Sequence, residues 1–139
     1  MELSRAMADE LIAHARDEFP NECCGMIAGE GTRAVAVHRA TNTEASPFMY
    51  VMDPREQLAI MDAVDEAGHE LMAVYHSHTK SVAYPSRTDV ELAFFPNTLY
   101  MIVSIADPDA PDIRAFRIRR PVDKDDPGEI DEQPVEVVG

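Results

Sequence analysis

Apolar side chains at Leu3, Met7, Leu11 and Ile12 recur at helical spacing and stop before Pro20, and Ser4 can start the turn. The pattern predicts a helix over roughly residues 3–18 with one face packed on a sheet. Cys23 to Ala28 and Arg33 to Arg39 suit strands, and Gly29, Glu30 and Gly31 between them supply a tight hairpin. Asn42 to Pro47 is a polar turn cluster and Phe48 to Met52 a short strand candidate. Asp53-Pro54 then gives an N-cap followed by proline at the first helical position, so a second helix runs to about Ala67 and ends at Gly68. Leu71 to Tyr75 is an apolar run that leads directly into His76. Pro85 and Ser86 open a helical pattern through Phe95, and Leu99 to Ile105 and Ile113 to Ile118 read as two more strands. The stretch Pro121 to Pro134 is rich in proline and acid, a composition that does not promise order, and Val135 to Val138 is a candidate edge strand. There is no internal repeat.

Composition narrows the function more than the fold. Apolar residues make up 45% and charged residues 27% of 139 positions, which fits one globular domain able to bury a core. Residues 1–120 form the expected domain, and 121–139 an acidic C-terminal tail ending in the candidate edge strand. Acidic residues outnumber basic ones 26 to 12, so the surface repels polyanions and nucleic acid is not expected as a partner. Much of the excess lies between Asp123 and Glu136, which reads as a solvated arm. The start of the chain lacks a basic patch followed by an apolar run, and no segment offers about 18 consecutive apolar residues, so no membrane association and a cytoplasmic location are expected. Cys23 and Cys24 are adjacent, point to opposite faces of an extended segment, and are expected to be reduced thiols.

The chemistry concentrates in His76-Ser77-His78, followed after seven residues by Ser86-Arg87-Thr88-Asp89. Leaving a strand with period two, His76 and His78 share a face and can chelate one ion, while Asp89 in the first turn of the next helix can look back toward the strand end. Two imidazoles and a carboxylate leave a fourth position of a tetrahedral site open for water, as in catalytic zinc centres. Each piece also has a plainer reading: a histidine pair at a strand end is often polar surface, and Ser86 with Asp89 is a capping-box variant. The plainer readings weaken in combination, because capping and ligation by Asp89 coexist. His14, His38 and His69 have no ligand-like neighbours in sequence and are expected to serve packing or surface.

Glu22 together with His76-x-His78-x7-Ser86-x2-Asp89 resembles the JAMM signature of the MPN-domain (JAMM/MPN+) zinc metallopeptidases at every position. The resemblance spans nearly the whole chain through Pro20-Asn21-Glu22-Cys23-Cys24-Gly25, Asn42-Thr43-Glu44-Ala45-Ser46-Pro47 and Tyr84-Pro85-Ser86, and is to the bacterial Mec-type branch that processes sulfur-carrier proteins. It implies an α/β three-layer sandwich of the MPN type, distantly similar to cytidine deaminases, with a mixed β-sheet of about six strands flanked by helices. It implies that His76, His78 and Asp89 bind one Zn2+ carrying a catalytic water, that Glu22 is the general acid/base, and that Ser86 steadies the oxyanion. The implied reaction is hydrolysis of the amide after the C-terminal glycine of a small ubiquitin-like sulfur carrier, whose Gly-Gly tail enters extended, with release of cysteine. Beside a divalent ion Glu22 should stay ionised without needing deep burial. Cys23 stands where close relatives are expected to carry a small residue, and should point away from the metal.

Four other readings stand against this one. An isopeptidase for another ubiquitin-like modifier would use the same residues, although the short loops leave no room for the insertions that grip ubiquitin chains. A non-catalytic MPN binding module is disfavoured by the intact signature. A mononuclear iron oxygenase shares the two-histidine, one-carboxylate set and would differ in its metal. A zinc deaminase would need H-x-E and P-C-x-x-C, which do not occur. Oligomeric state is not legible.

Overall fold

Ser4 is where the chain changes from strand to helix. Its extended backbone ends a short strand, β1 (Glu2–Ser4), and its hydroxyl accepts the Met7 N–H to cap α1 (Arg5–Glu18), so the predicted helix begins two residues later than its apolar period. The computed structural model describes residues 1–139. The hairpin follows as β2 (Cys24–Glu30) and β3 (Arg33–Ala40), turning at Gly31 with φ +64°, a conformation glycine adopts without steric cost. Asp53 accepts from Arg55 and Glu56 N–H groups and caps α2 (Pro54–Glu66), with Pro54 in the first turn as predicted. β4 (Glu70–His78) is followed by α3 (Arg87–Glu91), β5 (Leu99–Ser104), β6 (Asp112–Arg119), β7 (Glu129–Gln133) and β8 (Glu136–Val138).

All eight strands form one mixed sheet in the order β7-β6-β5-β4-β2-β3-β1-β8. β4 and β5 run parallel, as β1 does with β3 and with β8, and the remaining pairs are antiparallel. The sheet has two cores. Leu11 and Ala15 of α1 pack on Ile27, Tyr75, Met101 and Val103 on one face, while Ile60 and Val64 of α2 with Val90 of α3 pack on Met26, Val74, Ile102 and Phe116 on the other. This alternation along β2, β4 and β5 is the period-two pattern of strands buried on both sides. Each Val, Leu, Ile, Met or Phe side chain among them contributes about 1.5–3 kcal/mol through removal from water.

Several expectations change. The sheet has eight strands rather than about six. Phe48 to Met52 is not a strand: it makes a single bridge, Asn42 with Met52, because the Asn42 side chain takes the Val51 N–H and the Met49 carbonyl that a ladder would use. α3 stops at Glu91 rather than near Phe95, since the chain turns to bury Ala93 and the Tyr100 hydroxyl accepts the Phe95 N–H. Residues 121–139 contribute β7 and β8, one at each edge of the sheet. Their acidic side chains are partly paired rather than free in solvent, Arg119 with Asp126 and Glu129 and Arg114 with Glu132.

Candidate active site

Parallel β4 and β5 cannot be joined by a tight turn, so residues 79–98 must cross from one end of the sheet to the other. That crossing carries α3 past the C-terminal end of β4, which is where His76 and His78 emerge. Both rings are buried, at 1% and 5% exposure, on the α2 face of the sheet. Ser86 and Asp89 form a complete capping box: the Asp89 N–H donates to Ser86 Oγ at 3.1 Å and the Ser86 N–H to Asp89 Oδ2 at 2.9 Å. This box turns the Asp89 carboxylate toward the histidines. Its Oδ1 is 3.2 Å from His76 Nε2, its Oδ2 is 3.1 Å from His78 Nε2, and the two Nε2 atoms are 3.2 Å apart.

The donor set suits a metal ion, with the ligand atoms of His76, His78 and Asp89 within 4.8 Å of one another. Two nitrogens on a tetrahedral zinc at about 2.0–2.1 Å would be separated by about 3.3 Å, close to the spacing found. The Val82 carbonyl lies 2.8 Å from His78 Nδ1 and accepts its proton, so in the neutral ring the Nε2 lone pair faces the triad. Tyr50 stacks on the His76 ring at 4.6 Å between centroids and fixes its plane. Burial opposes the charge of Asp89, but His76, His78 and the Ser86 N–H together hold its carboxyl well below the usual carboxylate range. Burial likewise disfavours a charged His78, yet Asp89 and the Val82 carbonyl raise it above the ordinary imidazole value.

Glu22 approaches from the neighbouring strand. Cys24 is opposite His76, and Ser77 N–H donates to the Cys23 carbonyl at 3.1 Å, so two residues back along the same antiparallel register Glu22 faces His78. Its carboxyl group is deeply buried, at 4% exposure, and Oε1 has no hydrogen-bond partner. Burial pushes it up to about 8, with His78 opposing and Asp89 reinforcing the shift. Burial by itself thus favours the protonated form, and the expected ionised Glu22 presupposes a divalent cation beside it. Glu22 is held at both ends of its peptide unit: its N–H donates to Ser46 O at 2.9 Å and its carbonyl accepts from Asn42 Nδ2 at 3.0 Å.

The structure thus brings Glu22, His76, His78 and Asp89 to one face. Ser86 sits at the exposed rim with its oxygen accepting from Asp89, which leaves its O–H free to donate. Cys23 lies on the opposite face in the α1 core and its N–H donates to Ser77 Oγ at 2.8 Å, so it points away from the triad; both cysteines are buried, unpaired thiols. His14 is buried against Tyr75, and His38 and His69 are half-buried apart from the site. Sequence reasoning passed over Tyr50, Asn42 and the Val82 carbonyl. Asn42 carried a faint signal as the first residue of the polar turn cluster, whereas nothing in the spacing marked Tyr50.

Comparison with known proteins identifies the family. Residues 4–119 match the family Prok-JAB, described as prokaryotic homologs of the JAB domain. The chain is 42% identical over 134 residues to the CysO-cysteine peptidase of Mycobacterium tuberculosis, covering 95% of this chain and 87% of that protein. It is 37% identical over 111 residues to the desampylase of Haloferax volcanii, covering 75% and 80%. A protein from Desulfitobacterium hafniense solved in solution superposes with TM-score 0.82 at 33% identity over 99% of this chain and 92% of that one. A JAB1/MPN domain protein from Archaeoglobus fulgidus superposes with TM-score 0.62 at 17% identity over the full length of both, which shows the shared fold. No helix is long and apolar enough to cross a membrane. The sequence signature, the sheet with helices on both faces and these matches agree that the chain belongs to the prokaryotic JAB-domain family, within the JAMM/MPN group it resembles.

Proposed function

We propose that this chain is a zinc-dependent peptidase that hydrolyses the amide bond after the C-terminal glycine of a small ubiquitin-like sulfur-carrier protein and releases cysteine. The observation that carries the reading is the convergence of His76, His78 and Asp89 beside the buried, unpartnered carboxyl oxygen of Glu22. The relative named CysO-cysteine peptidase supports the substrate.

His76, His78 and Asp89 would hold one zinc ion, which supplies a Lewis acid and lowers the pKa of a bound water toward neutrality. Glu22 takes a proton as the water oxygen bonds to the glycine carbonyl carbon, and returns it to the amine as the C–N bond breaks. The free O–H of Ser86 donates to the carbonyl oxygen while charge builds there. Burial of Glu22 keeps competing water from its carboxylate, and its anchored peptide unit fixes where the proton is received. The Gly-Gly tail of the carrier would lie extended at the strand ends. Two buried unpaired thiols fit a reducing compartment, so we place the reaction in the cytoplasm.

The test is elemental analysis of the purified protein and of Asp89→Ala, with cysteine release from a carrier-cysteine fusion followed in the same samples. About one zinc per chain, lost in the variant together with activity, is the expected result. Iron with an oxygen requirement would replace the hydrolase by an oxygenase, and a metal-free inactive protein would leave a binding module.

A further inference from the structure

Two hollows border the strand end that carries the triad, and they differ in chemistry. One, of about 380 Å³, begins at Tyr50 and Val74 and is apolar apart from Gln57. The other, of about 500 Å³, begins at Thr79 immediately after His78 and at Phe19, three residues before Glu22. Phe19, Ile105 and Pro108 give this second cleft an apolar lining, while Arg16 from the end of α1 and Lys80 bring two cations and no acidic residue lines it. Of the 12 lysines and arginines in this chain of net charge −14, Arg39, Arg87, Arg114 and Arg119 pair with a carboxylate. Arg16 and Lys80 form no ion pair. Arg16 donates to the Pro108 carbonyl at 3.0 Å, and the Lys80 ammonium rests 5.5 Å from the Phe48 ring centroid.

We propose that this cleft is a carboxylate-binding subsite in which Lys80 takes the free α-carboxylate of a single amino acid leaving group. The inference rests on the hydrolase reading above and sharpens its substrate class. In a carrier adduct with one amino acid, the carboxylate is two bonds from the scissile nitrogen. Lys80 is two residues from His78, at most about 7 Å along the chain, and a lysine side chain covers the remaining distance. Glu22, Asp89 and the overall charge all repel such a carboxylate, so a local cation is needed to admit it. The apolar hollow on the other side offers none. In an isopeptide adduct the departing amine is a lysine side chain, and its carboxylate is remote and bound in a peptide link. The cleft therefore favours release of one free amino acid over cleavage of protein conjugates.

The experiment uses the zinc-loaded protein and a carrier-tail peptide ending Gly-Gly-Cys, as the free acid and as the C-terminal amide. The acid is expected to have kcat/KM higher by about tenfold or more, carried by KM, as for a charge-assisted contact. Lys80→Ala should bring the ratio toward one, Lys80→Arg should restore it, and Lys124→Ala in the β6–β7 connection should leave it intact. A wild-type ratio of one, or a ratio that survives Lys80→Ala, overturns the subsite. Binding of the same two peptides to zinc-loaded Glu22→Gln, followed by NMR at the Lys80 and Ala106 amides, separates the two readings. If the wild type cleaves neither peptide the hydrolase reading falls, while preferential binding of the acid, or its absence, still decides the cleft.

Discussion

Glu22 shows what residue spacing conveys and what it does not. Its identity and its partnership with His76, His78 and Asp89 were legible, because the signature fixes four side chains that must meet. Its burial was not, since exposure depends on the 42–52 loop folding over it. Glu22→Gln keeps shape and removes the proton acceptor, so zinc content should be unchanged while kcat falls by about 10²–10⁴-fold; zinc loss in this variant would mean that Glu22 is structural. Sequence alone left His14 to packing or surface; its Nδ1 lies 2.7 Å from the Tyr75 hydroxyl beside the α1 core. Burial, with help from Arg39 and against Glu10 and Asp17, lowers it from 6.5 to about 4. The unfolded chain therefore binds the extra proton first as pH drops. The stability from keeping His14 neutral is complete above about pH 6.5 and is lost progressively toward pH 4, by up to about 3 kcal/mol. Urea unfolding across this range should show a steeper decline for the wild type than for His14→Gln, and equal slopes would refute the assignment.

At the scale of elements, caps were the most readable features. Ser4, Asp53 and Ser86 each start the helix their sequence context announced, because capping is local chemistry. The 42–52 loop was less readable, since one side chain overrides its strand-like composition. Asn42 donates to the Glu22 and Met49 carbonyls and accepts from the Glu44 and Val51 N–H groups, each at 3.0–3.1 Å. Asn42→Ala leaves these backbone groups unpaired, and a stability loss of about 1–3 kcal/mol is expected. Because the same loop holds the Glu22 peptide unit and presents Tyr50 to His76, kcat should fall while zinc content holds. A variant with normal turnover would show that the loop does not position Glu22. β7 escaped notice for the opposite reason. Its five residues expose all but Ile130 and Gln133, so it has almost no apolar pattern, and it is defined by pairing and ion pairs with β6.

For the whole molecule, the helix positions followed from local patterns and the α/β class from the family resemblance, but strand order did not follow from either pattern or composition, because it depends on which distant segments pair. The two tail strands illustrate this: β7 and β8 are consecutive in sequence yet occupy opposite edges of the sheet. Only Pro134 and Val135 separate them, so Gln133 and Glu136 lie within about 11 Å and the two edges must curl toward each other there. Truncation after Arg120 would leave β6 and β1 as open edges. The shortened chain is expected to unfold at lower urea and to form larger species on size-exclusion chromatography, whereas an unchanged midpoint would make the tail dispensable. The parallel pairing of β1 with β8 also decides how the protein answers force. Glu2, Leu3 and Ser4 pair with Glu136, Val137 and Val138 running the same way, and the Met1 ammonium and carbonyl bond to Pro134 O and Glu136 N–H. Tension applied between Met1 and Gly139 loads this row of bonds in shear, all at once, rather than peeling them singly, so the two ends of the chain act as a mechanical clasp that must fail before α1 can be drawn out.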